Sequence, residues 1–517
     1  MASTFAATRN HLIFGLCLPL AVLLGYLLAE PFASTTVVVV AVLAAVLMVP
    51  IMLRWYHPLL ILSWHMAMYP IFFPGRVALW VPMALAGLLF VILHRSVDAN
   101  YRWNHEPSLT TPLLVFALVI IATAVATGGI GLRILGSKEI GGRGYVLLLA
   151  AIVGYFVLSS RSIQPRRAQW AIALFFLSGI TCTFGYLALR TGSGAEFLTY
   201  LFPLTSDSGG GPVGPTFESG GERIDGLMPA AVLIYCWLLA RYGATGILAW
   251  NRPWRVLVLA GVVGMGCFGG FRSMLVLMGL IFLILLYLER IWRGPAFLIF
   301  LMGLLISGVG IVFFANKLPL PVQRTLAFLP VEVDPVVRIG VDSSTEWRVQ
   351  MWRSVIHLVP QYLLLGKGYS LSAEDMYMER QDALRGFSEL WSGAALAGDY
   401  HSGPLSVIIP FGVWGGLAFG WVLYAGTRHL YRVYRDGAES LRTINRLLFA
   451  LFVARILFFL FVFGALYTEF YYFTGILGMS VALNSTERQS RAESAAEVAE
   501  GELNQAHNMT IAPMSNE

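Results

Sequence analysis

The chain has 517 residues, of which 57% are hydrophobic and only 12% charged, and its mean hydropathy is +0.71. Soluble domains carry about 45–50% apolar residues, so a soluble globular fold is excluded. The net charge of +6 comes without basic runs in a polar domain, which excludes a nucleic-acid binder as well.

The apolar residues fall in blocks of about 16–22, each long enough at ~1.5 Å rise to cross a ~30 Å hydrocarbon layer, where a helix satisfies its own backbone. The expected fold class is all-α, a polytopic membrane protein of about fourteen transmembrane helices. In chain order, spans are expected near 11–29, 32–53, 57–73, 77–94, 112–128, 145–160, 169–189, 227–241, 255–270, 273–289, 295–316, 405–427, 446–465 and 467–483. The first block follows Arg9, lacks a small-residue cleavage site and runs straight into a second block, so it reads as helix one and not as a removed signal.

These spans divide the chain into an N-terminal bundle (1–316) of about eleven helices, a long loop subdomain (317–404), C-terminal helices (405–483) and a polar tail (484–517) expected to be disordered. With both termini cytoplasmic, one set of loops collects Arg95 and Arg102, Arg161, Arg166 and Arg167, Arg241, Arg252 and Arg255, Arg290 and Arg293, and Arg428, Arg432, Arg435 and Arg442. That bias assigns them to the cytoplasm and 128–144, 190–226 and 317–404 to the outer side. The last segment is too long for a plain connector, and its spaced Trp347, Trp352, Tyr362, Phe387 and Trp391 suggest a small helical subdomain. By contrast, the Gly- and Pro-rich 209–221 suggests a mobile flap.

Outer loops are expected to be poor in basic residues, yet GGIGLRILGSKEIGGRG carries Arg133, Lys138 and Arg143 against Glu139 alone. Further outward cations are Arg76, Arg223, Arg272, Arg324, Arg338 and Arg348. Guanidinium groups stay charged and grip phosphate oxygens in a fork, so the set suits an anionic lipid headgroup. For any one of them, pairing with an acid in its own loop is the competing reading. Within the spans, Arg455 is the clearest charge, and it can snorkel, pair with Glu469 or line a cavity. Cys17, Cys182, Cys236 and Cys267 all lie in apolar blocks, where neither a disulfide nor a metal is expected.

His401 stands in GDYHSGPLSVIIPFGVWGG, where the long outer segment re-enters the membrane. A neutral imidazole there can take a proton from a hydroxyl, and Asp399 is near enough in sequence to orient the ring. A lone histidine is more often structural, and Gly412 and Gly415 alone indicate only close helix packing.

His401-Ser402, nine residues, Gly412, two residues and Gly415 resemble the His-[Asn/Ser/Gln]-x9-Gly-x-x-Gly pattern of the O-antigen ligase and polymerase superfamily. FRSMLVLMGL (271–280) is similar to the family's Ser-Arg-containing span, with Phe271 in place of the usual serine. WRVQMWRSV…LLLGKGY (347–369) is similar to its Arg-x-x-x-Trp…Gly-x-Gly segment, and together the likeness covers about 255–430. What the resemblance implies is a membrane glycosyltransferase of the bacterial inner (cytoplasmic) membrane, with its active site facing the periplasm. It would move a glycan from undecaprenyl pyrophosphate to an acceptor hydroxyl with inversion and without a metal or other cofactor. His401, Arg348 and Arg272 would be catalytic, and Arg223, Arg133, Lys138, Arg143, Arg324 and Asp399 would contact substrate. The implied partners are the lipid-linked donor, a glycan or lipid A-core acceptor, membrane lipid and a polysaccharide assembly complex. A repeat-unit polymerase of the same superfamily shares the donor, and a flippase or exporter is the alternative from another class.

Overall fold

The structure is a computed structural model that describes residues 34–71, 77–97, 103–104, 106–128, 142–191, 194–204, 224, 226–369, 377 and 398–485, with residues 19, 21, 22 and 25. Two compact units divide the chain, Met1–Tyr56 and His57–Glu517. Among the described residues every regular element is helical and no strand occurs. Most of the expected span at 11–29, most of the 128–144 loop, residues 209–221, residues 370–376 and 378–397 with Phe387 and Trp391, and the tail beyond 485 lie outside the described residues.

The helices that matter for the site are α1 (Ser34–Ser63), α2 (Trp80–Val97), α3 (Pro107–Thr127), α4 (Gly142–Ser159), α5 (Pro165–Leu177), α6 (Phe184–Thr191), α7 (Leu227–Ile247) and α8 (Trp254–Cys267). They are followed by α9 (Arg272–Leu288), α10 (Pro295–Phe314), α11 (Leu320–Leu326), α12 (Pro335–Val355), α13 (Leu358–Tyr362), α14 (Gly403–Asp436), α15 (Arg442–Phe461) and a last helix α16 over 466–485. Among the described residues seven helices are long and apolar enough to cross a membrane, including α3, α4, α7, α14 and the continuous 27-residue passage Pro165–Thr191. Four shorter apolar helices, Leu47–Ser63, Trp80–Ser96, Trp254–Cys267 and Arg272–Leu288, join them. The protein is an all-α polytopic membrane protein.

Where two spans are expected on either side of Arg54, one helix runs unbroken through Ser34–Ser63. The polar residues there suggest an interface, but the His57 ring is buried and its Nε2 lies 2.7 Å from the Leu158 carbonyl. A partner inside the bundle satisfies the imidazole, so the helix need not end at water.

Packing in the second unit is dominated by α14, which runs along α3 and against α15. Phe116 of α3 meets Phe411 and Phe419 of α14 and Phe470 of α16 at centroid distances of 5.2–6.2 Å. In a bilayer such contact is the main source of helix association, because lipid tails are as apolar as the side chains themselves. Two polar pairs then join α15 to α16. Asn445 and Asn484 exchange side-chain amide hydrogen bonds at 3.0 and 3.1 Å. The Arg455 guanidinium, 6% exposed, donates to Glu469 at 2.8 Å and lies 3.6 Å over the Tyr472 ring. Of the three roles open to Arg455, pairing with Glu469 is therefore the observed one.

Helix α12 differs from its neighbours: it is amphipathic and carries Arg338, Asp342, Glu346, Arg348 and Arg353 along its length. Asp334 caps its start by accepting from the Val336 N–H at 2.8 Å, and Pro335 occupies the first turn, where its missing N–H is not needed. The Arg338 guanidinium donates to the carbonyls of Ala327 and Val331. Arg338, expected to face outward, is thus a brace between α12 and the turn before it.

Candidate functional site

The site is built around the turn that precedes α14. Asp399 Oδ1 accepts from the His401 backbone N–H at 3.1 Å, a local Asx-type closure that draws the carboxylate under the imidazole. The His401 Nδ1 lies 2.9 Å from the same oxygen, although the approach is off line for a ring N–H hydrogen bond. Both side chains are buried, His401 at 7% and Asp399 at 2% exposed. His401 adopts φ +48, a left-handed backbone uncommon outside glycine, asparagine, aspartate and histidine.

Three elements hold this turn. From α12, the Trp347 ring meets the imidazole edge to face at 5.1 Å, and Trp352 Nε1 donates to the Tyr400 carbonyl at 2.8 Å. Met351, Val355, Tyr400 and Ile409 close an apolar cluster beneath them. From the α15–α16 turn, Phe463 lies 4.9 Å from the imidazole. Ser406, in the first turn of α14, accepts from the Leu466 N–H at 3.1 Å and so fixes the start of α14 to the start of α16.

The third element is LLLGKGY, residues 363–369. Gly412 breaks α14 with φ +63, which frees carbonyls one turn earlier. Lys367 N–H donates to Ile409 O at 2.8 Å, Gly368 N–H to Pro410 O at 2.9 Å, and Val413 N–H returns to Leu363 O at 2.6 Å. Gly366 and Gly368 also have positive φ, and a Cβ on Gly366 would run into the Pro410 carbonyl. The Gly-x-Gly segment is thus stitched into the gap that the motif glycine opens. Beyond the simple packing expected of it, Gly412 is a break that receives a second strand of backbone.

Tyr369 follows at once and is 3% exposed. Its ring fills the space between Gly144 and Gly398, where an added Cβ would lie 2.8 and 2.6 Å from ring carbons. Its backbone N–H donates to the Tyr145 hydroxyl at 2.8 Å. Burial, then Tyr467, Tyr400, Tyr145 and Asp399 nearby, push the phenol well above its ordinary range. It stays protonated, a buried donor beside the turn.

Arg272 and Arg348 converge on α12. Arg272 opens α9 after Gly270 and extended Phe271, and its Nη2 donates to Thr345 Oγ1 at 3.4 Å. Thr345 and Arg348 are three residues apart and so share a helix face. The Arg348 guanidinium carbon is 5.7 Å from the Trp347 ring whose other contact is His401. One indole therefore separates the imidazole from the guanidinium, and one helical turn separates Arg348 from the residue that holds Arg272.

Of the remaining sequence-derived candidates, Arg143 begins α4 beside Gly144, against the Tyr369 ring. Half-buried Arg324 is on α11, next to Thr325, whose hydroxyl donates to Cys267 O at 2.9 Å at the end of α8. Arg133, Lys138 and Arg223 lie outside the described residues. Sequence reasoning missed Thr345, Trp347, Tyr369 and Phe463; only the Gly-Lys-Gly spacing before Tyr369 was a usable signal. Among the described residues no group of three or more His, Cys, Asp or Glu side chains is placed to hold a metal ion.

Fold and site together define a polytopic membrane protein whose long amphipathic helix carries Arg348, meets Arg272 through Thr345 and meets a buried histidine of left-handed backbone through Trp347. Residues 256–420 match the family model described as O-antigen ligase. The match supports the O-antigen ligase superfamily, the one resembled in the sequence, and takes in Arg272, Arg348, His401, Gly412 and Gly415. It supports a membrane enzyme of ligase or polymerase type with lipid-linked glycan substrates. A search of curated proteins returns no match to the chain.

Proposed function

We propose that the chain is an O-antigen ligase-like glycosyltransferase that moves a glycan from undecaprenyl pyrophosphate to an acceptor hydroxyl on the periplasmic face of the inner membrane. The observation that carries this reading is α12, which contacts His401 through Trp347 and Arg272 through Thr345. In the reaction, the acceptor oxygen forms a bond to the anomeric carbon from the face opposite the pyrophosphate. The bond from that carbon to the pyrophosphate oxygen breaks, and its electron pair leaves with the carrier lipid. His401 takes the acceptor proton and passes it to solvent, with Asp399 orienting the ring. Negative charge accumulates on the departing pyrophosphate, where guanidinium donors fixed in advance stabilise the transition state by several kcal/mol.

Arg348 and Arg272 fill that role, each held by a neighbour so that little rearrangement is needed during reaction. Arg143 and Arg324, with Arg133, Lys138 and Arg223, extend the positive surface on the donor side. On this reading residues 317–404 belong to the periplasmic side. Deleting the gene and profiling surface glycans and lipid-linked intermediates tests the reading. Full-length chains accumulating on the carrier are expected of a ligase, single repeats would indicate a polymerase, and material trapped on the cytoplasmic face would indicate a flippase.

A further inference from the structure

A cavity lies at the other end of α14. Between Gly403 and Arg428 the helix is broken at Gly412, and Arg428 belongs to the set of arginines that the charge bias assigns to the cytoplasm. On that assignment the cavity and the imidazole face opposite sides of the membrane. The cavity is a half-open cleft of about 320 Å³ between the start of α3 and the last turns of α14, with Thr111, Trp421, Tyr424, Arg428, His429 and Arg432 in its walls.

The charge in it is unbalanced. Arg428 and Arg432 are one helical turn apart and both line the space. The nearby acid is Glu106, 3.8 Å from Arg432 and already accepting a hydrogen bond from Ser108 at 2.6 Å. Among the described residues that line the space two are arginines and none is an acid. His429 is 1% exposed; its Nε2 lies 3.3 Å from the Ser480 hydroxyl, while Nδ1 has no hydrogen-bond partner among the described residues. At the rim, Trp421 and Tyr424 are 44% and 64% exposed, the amphipathic rings favoured at the depth of lipid headgroups.

We propose that this cavity binds the phosphate headgroup of an anionic phospholipid. Arg428 and Arg432 hydrogen-bond the phosphate oxygens, the fork geometry that suits guanidinium to phosphate. The acyl chains leave past Trp421 and Tyr424 into the bilayer, an arrangement typical of basic pockets between spans. The site stands apart from His401 and does not depend on the proposed reaction.

Native mass spectrometry of the full-length protein, purified in detergent and offered phosphatidylglycerol, phosphatidylethanolamine or inorganic phosphate, tests it. The expected result is preferential retention of phosphatidylglycerol, weakened about tenfold or more in R428A/R432A, the loss of about one charge-assisted hydrogen bond. A second variant, Thr111→Trp, keeps both charges, fills the cavity and is expected to lose the lipid too. Equal retention of both lipids, or undiminished phosphatidylglycerol in a folded variant of either kind, overturns the proposal. Displacement of the lipid by inorganic phosphate alone would assign the cavity to a free anion and overturn it as well.

Discussion

His401 combines three conditions that rarely coincide: a left-handed backbone, near-complete burial, and rings of Trp347 and Phe463 on two sides. For a residue with a side chain, such a backbone costs about 1–2 kcal/mol, which the surrounding contacts must offset. Asparagine tolerates the same backbone but cannot act as a base. His401→Asn is therefore expected to lower glycan transfer about 10²–10⁴-fold while leaving the melting temperature of the detergent-solubilised protein close to wild type. Arg435→Ala is the control, because Arg435 bonds only the exposed Asp436 beside it among the described residues; transfer should be unchanged. A transfer-competent His401→Asn enzyme would remove the imidazole from the mechanism. At this scale the sequence was most informative for His401 itself, because a motif surrounds it. Tyr369 was legible only as the residue after Gly-Lys-Gly: nothing in the sequence signals that its ring will separate two glycines some 250 residues apart in the chain.

Among the elements, the broken helix α14 is the most consequential. A glycine in an apolar helix reads as a small contact surface, since periodicity alone does not report a positive φ. Gly412 instead opens a gap filled by backbone from 363–369. Gly412→Ala adds about 1–2 kcal/mol of left-handed strain and sets a Cβ 2.7 and 2.9 Å from the carbonyls of Leu363 and Leu364. The protein is expected to unfold at markedly lower temperature. Gly416→Ala, a few residues on, meets nothing within 4 Å and should be neutral. If both unfold alike in a thermal melt, the stitching of the two segments does not stabilise the fold.

Helices α15 and α16 give a second test at this scale. Removing one member of the Arg455–Glu469 pair strands a charge out of water, at a cost of about 3–5 kcal/mol. Arg455→Met alone or Glu469→Gln alone should therefore destabilise more than the two changes together. Additive losses in a double-mutant cycle of thermal or denaturant unfolding would show that the pair is not coupled. The same pair illustrates a limit of sequence: Glu469 was one of three outcomes open to Arg455, and only the approach of α16 to α15 decides among them.

For the molecule as a whole, the arginine distribution predicts that the two ends of α14 face different compartments. In a cysteine-free background, Phe328→Cys, at a position 48% exposed, is expected to react with an impermeant maleimide added outside the inner membrane. Arg435→Cys should react only after permeabilisation. The reverse pattern would invert the topology and move His401 to the cytoplasm. The all-α membrane class was legible because composition and block length leave few alternatives. Individual boundaries were less so, as the unbroken Ser34–Ser63 shows, since a buried polar residue resembles an interfacial one until its partner is seen.

Helix α10, Pro295–Phe314, has one further consequence. Leu298, Leu301, Leu304, Leu305, Val309 and Phe313 are all at least 47% exposed. Such a rod is held in place by its surroundings more than by its own fold, because hydrocarbon supplies the contacts that neighbouring side chains do not. The choice of amphiphile thus becomes a structural variable: short-chain detergents should expose Gly294 and Lys317 at its two ends to proteolytic nicking, and a nanodisc should protect them.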